Sequence, residues 1–207
     1  MRYLALIGDI RESRGVENRK ALQEQLRSAL VDLNNQHGSE LVSPFTLTLG
    51  DEFQALFGSA GAIWQCLFAI QAQLHPVAVR FGLGVGEITT GVNRESALGM
   101  DGPAFYRARD AINMLKETEG AYRTEGLGDQ KLVNHSLELL SGLQSKWHQN
   151  RFEVLYRRLA GEPVDAIAEA LGISRTAVYK NIAEGFLNPI GGMLADIAGI
   201  MDRALEG

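Results

Sequence analysis

The sequence predicts an α+β fold in two parts: a ferredoxin-like domain over residues 1–145 and an all-helical domain carrying a helix-turn-helix over residues 146–207. Three observations lead there. Apolar periodicity through residue 116 reads β-α-β-β-α-β-α, the split βαβ pattern with one added helix. The last ~60 residues hold no run of period two. Within them, AIAEALGISRTAVYKNI has the small residues and turn glycine of two closely crossing helices.

Taken in order, Tyr3–Ile7 is a short apolar run ending in Gly8-Asp9, a buried strand with a carboxylate at its end. From Glu17 to His37, Leu22, Leu26, Ala29, Leu30 and Leu33 recur at helical spacing, and Gly38 is the stop. Pro44–Phe57 alternates around Gly50-Asp51, which predicts a hairpin turning at or beside that pair. Ser59–Leu74 is again helical, ended by His75-Pro76. Val77–Ile88 is β-branched and rich in glycine, a strand approached closely by another backbone at Gly82, Gly84 and Gly86. Gly102-Pro103 opens a helix reaching Lys116. A short strand at Ala121–Arg123, a turn at 126–129 and a helix over Ser136–Trp147 follow.

In the last part, Asn150–Leu159 is amphipathic and closes at Gly161. Pro163 fits the first turn of the next helix, whose apolar face is Val164, Ile167, Ala168 and Leu171. Gly172 turns the chain, Ile173 plugs the core, and Ser174 caps the following helix. With Ala177, Val178 and Ile182 inward, Ser174, Arg175, Thr176, Tyr179 and Lys180 face outward and are the candidate DNA contacts. A three-helix module that docks another protein has the same pattern. Ile190–Leu205 forms a last helix whose outer face is acidic, unsuited to phosphates. It is expected to pair two copies into a homodimer, with packing on the first domain as the alternative.

Bulk composition narrows the classes. Hydrophobic residues are 45% and charged residues 22%, ordinary for a globular chain with a sizeable core. One cysteine, Cys66, excludes a disulfide framework and a cysteine zinc site, and its apolar setting reads as packing. A net charge of −5 argues against non-specific coating of nucleic acid. Residues 143–185 carry 6 basic and 5 acidic side chains and are the one segment that is not acidic. No signal-peptide core or membrane-length apolar run is present, so a cytoplasmic protein is expected.

Gly8-Asp9 and Gly50-Asp51 stand at matching places in this topology. If their strands are neighbours, Asp9 and Asp51 converge at one sheet end. Two carboxylates so placed suit Mg²⁺ or Mn²⁺, which leave their other positions to water and substrate phosphates. The alternative is two turn aspartates bonded to their own backbone.

At this point the blocks LIGDIRES, TLGDEFQALF, VRFGLGVGEITTG and GPAFYRARDAI resemble, in order and spacing, those of class III nucleotide cyclases, and more distantly diguanylate cyclases, over residues 3–115. The resemblance implies a palm fold and a metal set of Asp9, Asp51 and the backbone carbonyl of Ile10, with Glu52 and Arg107 as the candidates for nucleotide contact. It also exposes departures. The cyclase asparagine and arginine positions hold Tyr106 and Asp110, and the base-reading lysine position holds Leu47. A phosphoryl transition state draws ~10³ or more in rate from such an arginine, and an aspartate there opposes the developing charge. Arg107 and Arg109 lie on the same helix and offer a substitute from another direction. Ordinary cyclase activity is not expected. The chain as a whole resembles the SatD family of small bacterial proteins linked to acid-stress operons, and its helical tail resembles sigma-factor region 4 and LuxR-type domains.

Three functions are compatible with these readings: a DNA-binding regulator whose degenerate palm takes a metal–nucleotide ligand, a metal-dependent nucleotidyl transferase or phosphohydrolase using Asp9 and Asp51, and a protein-binding adaptor. The absent Asn/Arg pair and the well-formed recognition helix favour the first.

Overall fold

Nine residues, Arg2–Ile10, form the central strand β1, and everything else in the sheet is arranged about it. The computed structural model describes residues 1–11, 18–48 and 50–207. The elements that follow are α1 (Arg19–His37), β2 (Leu41–Leu47), β3 (Glu52–Phe57), α2 (Ile63–Leu74), β4 (Val79–Glu87), α3 (Pro103–Lys116) and β5 (Tyr122–Glu125). Four helices complete the chain after α4 (Gln130–Gln144): α5 (Gln149–Leu159), α6 (Val164–Leu171), α7 (Arg175–Glu184) and α8 (Leu187–Glu206).

The sheet order is β2-β3-β1-β4-β5. The first four strands are antiparallel neighbours, the predicted split βαβ arrangement, and α3 crosses over to bring β5 parallel to β4. Because β1 is covered on both faces, it reads as one apolar run rather than an alternation. Leu4, Leu6 and Ile10 belong to the large core shared with α1 and α2, whereas Ala5 and Ile7 meet Ala104, Ala108 and Ile112 of α3.

The contact between β4 and α3 is backbone on backbone. A Cβ at Gly82 would lie 2.4 Å from the Ala108 carbonyl oxygen, one at Gly84 2.2 Å from that of Ala104, and one at Gly86 2.7 Å from the Ala104 nitrogen. Period two along the strand puts all three on one face, and Ala104 and Ala108 answer them at helical spacing.

Several boundaries differ from expectation. β1 runs three residues past Ile7, so Asp9 is inside the strand. The expected start of α1 at Glu17 lies outside the described residues; Asn18 caps it, accepting from the Ala21 amide at 3.0 Å. α2 begins at Ile63 because Ala60 turns instead, its amide donating to Asp202 on α8 at 2.7 Å. α4 begins six residues before Ser136. Its Asn134 bonds both the amide (2.8 Å) and the carbonyl (2.9 Å) of Thr124, closing the outer edge of β5.

The helical tail shares the sheet's core instead of forming its own. Phe152, Val154, Leu155, Ile167, Val178 and the buried face of α8 belong to the same continuous cluster as Leu4 and Phe57. Of the two roles expected of α8, packing on the first domain is the one seen within the chain: Leu187, Ile190, Leu194, Ile197 and Met201 are buried, and α8 packs on β1 and β4. Arg2 also bonds the Ala204 carbonyl at 3.1 Å. Met193, Ile200 and Leu205 of the same helix stay partly exposed.

Gly84→Ala is expected to cost ~2 kcal/mol or more in urea unfolding, since neither backbone can give way. Gly142→Ala on α4, with no atom within 4 Å of the new Cβ, should be neutral or stabilise by up to ~1 kcal/mol. Equal effects at the two sites would contradict the close-approach account.

Candidate functional site

The register of the sheet decides what surrounds Asp9. It pairs with Glu52 on one side and Arg80 on the other, so the three side chains stand in a row on the face that carries α3. The β2–β3 turn brings Asp51 beside them: the Ile10 amide donates to the Asp51 carbonyl at 3.4 Å. Gly50, at φ +71°, takes the left-handed conformation of that turn, and Gln23 of α1 donates to its carbonyl at 3.0 Å. Thr48 Oγ1 donates to Glu52 Oε1 at 3.1 Å.

Helix α3 supplies the cover. Its register over the glycines of β4 places Arg109 above Glu52, where the guanidinium grips both carboxylate oxygens, Nη2 to Oε1 at 2.7 Å and Nη1 to Oε2. Lys116, two turns on, is close enough to act on both Asp9 and Glu52. Asp9 is paired with Arg80 at 3.5 Å, a long contact between side chains only 15% and 13% exposed. Arg80 Nε is buried and has no hydrogen-bond partner among the described residues.

The two carboxylates respond in opposite directions. Burial pushes the Asp9 carboxyl above its ordinary value; Lys116 and Arg80 oppose that, while Asp51 and Glu52 add to it. Burial would raise Glu52 too, but the hydrogen bonds and charge of Arg109, with help from Thr48 and Lys116, outweigh it and hold Glu52 low.

The sequence-predicted candidates divide accordingly. Asp9, the Ile10 backbone, Asp51 and Glu52 come together at one sheet end. Arg107 does not. Its Nη1 donates to the Val85 carbonyl toward the other end of β4, and its aliphatic stem packs where Gly126 leaves room. Sequence reasoning offered Arg109 only as a substitute and missed Arg80 and Lys116. Period two from Gly82 assigns Arg80 to the helix-covered face, and the i, i+7 spacing puts Arg109 and Lys116 on one side of α3, so the signal was present. Tyr106 and Asp110 both lie on the exposed side of α3, Tyr106 bonded to Asp101.

Among the described residues, three cationic side chains thus face three carboxylates. Among the described residues no group of three or more His, Cys, Asp or Glu side chains gathers to hold a metal. Asp9 and Asp51 are two carboxylates, enough for a magnesium ion that arrives with phosphate ligands and keeps its waters, and too few for a resident all-protein cage.

On the helical tail, α6 and α7 are joined by three residues, with Gly172 left-handed at φ +61° and Ser174 accepting from the Ala177 amide at 3.1 Å. Val178 is buried against the preceding helices, while Ser174, Arg175, Thr176, Tyr179 and Lys180 are all exposed. Arg175 pairs with Asp165 at 2.7 Å and Lys180 with Glu184 at 3.7 Å.

Fold and site together define a mixed α+β domain, with a five-stranded sheet in split βαβ order, carboxylates at one sheet end and a helical tail packed on its core. The chain belongs to the SatD family, whose sequence profile matches residues 3–182. Among curated proteins none matches it. Similar solved structures include a bacterial light-regulated adenylyl cyclase (17% identity, TM-score 0.44, covering 59% of this chain and 74% of that one). The dimeric guanylyl cyclase domain of the RhoGC fusion protein from the aquatic fungus Blastocladiella emersonii gives 16%, 0.38, 52% and 71%. The guanylyl cyclase Cya2 gives 16%, 0.36, 67% and 70%. Likeness at this level assigns no activity to this chain. No described helix is long and apolar enough to cross a membrane.

The titration shifts have signs that can be measured. Asp9 has its folded value raised, so its contribution is fully present below the unfolded value of 3.8 and lost as pH rises through the folded one. Asp9→Asn, which mimics the protonated form, should therefore melt higher than wild type at pH 7 without divalent ions, with the gap closing as pH falls toward 4. Glu52, held low, contributes above its unfolded value of 4.5 and loses that as pH falls through the folded one. Glu52→Gln should destabilise at pH 7 by no more than ~1 kcal/mol, because Arg109 keeps access to water. Melting curves of both variants between pH 4 and 8 decide; shifts of the same sign would refute the assignment.

Proposed function

We propose that this protein is a DNA-binding regulator that reads DNA with α7 and carries a palm domain used for ligand binding rather than cyclase chemistry. The observation behind this reading is the unobstructed outward row Ser174, Arg175, Thr176, Tyr179 and Lys180 on a helix that follows a three-residue glycine turn. Ser174 spends its oxygen on the cap and keeps its hydroxyl proton to donate to a phosphate. The pairs Arg175–Asp165 and Lys180–Glu184 are solvent-exposed, worth ~0–1 kcal/mol each, and a phosphate competes with them at low salt.

Binding of genomic fragments should weaken in Arg175→Ala/Lys180→Ala while the melting temperature stays put. Each phosphate contact removed flattens log K against log [salt] by roughly one unit. Unchanged DNA binding in the double variant would move the protein to the adaptor class.

A second reading, a metal–nucleotide site at Asp9 and Asp51, is favoured by the convergence of both with Glu52 and by the unpartnered Nε of buried Arg80, a donor suited to a phosphate oxygen. In that role Asp9, Asp51 and the Ile10 carbonyl would hold Mg²⁺ or Mn²⁺, which would screen the repulsion among the carboxylates and tie down a triphosphate. Millimolar Mg²⁺ should raise the melting temperature, ATP or GTP should add to it, and Asp9→Asn should abolish the metal-dependent part. No cyclic product is expected with either ion. A flat metal response in wild type would eliminate this site, and a product lost in Asp51→Asn would favour the enzyme.

A further inference from the structure

A cavity of about 700 Å³ opens at the same sheet end as Asp9, between the starts of β4 and β5, the last turns of α4 and the first turn of α5. Its size falls within the ~300–1,000 Å³ of small-molecule sites. One wall is aromatic: Trp147 and Phe152 meet edge to face at 5.3 Å. Val79 and Ala121 make the apolar floor. It sits where the tail joins the sheet.

Set into this lining is an amide whose hydrogen bonding is incomplete. Gln144 is 6% exposed, and its Nε2 is buried with no partner. The phenol of Tyr122 lies 2.8 Å from Gln144 Oε1 and 2.5 Å from Gln71 Oε1. Burial drives the Tyr122 hydroxyl well above its ordinary range, so it keeps its proton, and one proton serves one of the two oxygens. Whichever end of Gln144 faces the phenol, the other end remains unpaired in a buried place, at a cost of ~1–3 kcal/mol that a bound polar group would remove. The rim sets the charge. Among the described lining residues, Arg11 is bound to Glu119 at 2.5 Å, the His75 ring is bonded to the Trp147 carbonyl at 3.1 Å, and Glu138 adds a further negative group, so none of them is a free cation for a phosphate or carboxylate.

We propose that this cavity binds an uncharged, flat heteroaromatic molecule that presents an amide or lactam edge to Gln144 and a ring face to the Trp147–Phe152 wall. Asp9, Asp51 and Glu52 are not among its lining residues, and the proposal does not depend on DNA binding.

The probes are nicotinamide, 2-pyridone, hypoxanthine and inosine, with nicotinate and inosine 5′-monophosphate as charged counterparts. They are titrated into the full-length protein while the indole N–H signal of Trp147, one of two tryptophans, is followed by NMR. Uncharged members should shift that signal saturably, and the charged counterparts should bind at least tenfold more weakly. Gln144→Leu should lower affinity about tenfold, the equivalent of one hydrogen bond of ~1.4 kcal/mol. Gly142→Phe should abolish binding by filling the mouth; Gly142 lines the cavity and has no atom within 4 Å of an added Cβ, and an unchanged melting temperature checks that the variant folds. No saturable Trp147 shift from any uncharged probe at millimolar concentration would overturn the proposal. So would binding that is indifferent to both variants, or that favours the charged partners.

Discussion

The approach of α3 to β4 at backbone distance fixes much of the rest of the molecule. Gly82, Gly84 and Gly86 remove three side chains from one face of the strand, and Ala104 and Ala108 settle into the space. A helix this close to a sheet has little freedom to rotate, because interiors are packed at crystal-like density. Its rotation then determines which side chains overhang the central strands. Arg109 and Lys116 fall over the carboxylate row, and Arg107 falls on the β5 side with its Nη1 on the Val85 carbonyl. The same crossover delivers β5, and β5 in turn provides Tyr122 for the aromatic core and Thr124 for the bond to α4.

The acidic sheet end follows from that placement and from the order of the strands. In a sheet with β1 between β3 and β4, the residue at each flank of Asp9 is set by antiparallel register, and here one is an acid and the other a base. The cluster holds itself together through cross pairs. Charges so buried remain ionised only when partnered, and the partners in this site are arginines and a lysine from the chain. Such a site has no standing need for a cation. It would take one weakly alone and more tightly together with an anion, which brings the ligands that two carboxylates lack.

The helical tail is tied to this end of the sheet by packing rather than by a linker. Trp147 and Phe152 stack beside His75, Gln65 of α2 bonds the Leu159 carbonyl at 2.8 Å, and α8 returns to lie on β1 and β4. A shared core of this kind links α7 to the sheet through α5 and α2. The cavity lies at that joint.

Much was legible in the sequence where the signal is local. The alternation of β2 and β3 about Gly50-Asp51, the helical spacing of α1, the glycine of the α6–α7 turn and the serine cap of α7 depend on residues a few positions apart, and each was read from them. The glycines of β4 announced a close neighbour, though not which helix. Three things waited for the tertiary structure because they join residues distant in the chain. The register that puts Glu52 and Arg80 beside Asp9 is set by many side chains packing at once, and a slip of one residue would turn Asp9 to the other face. The burial of α8 was undecided because an apolar stripe looks the same whether it meets its own sheet or a second copy. The cavity with its unpaired Gln144 is assembled from α2, β4, β5, α4 and α5, and no single segment carries a trace of it.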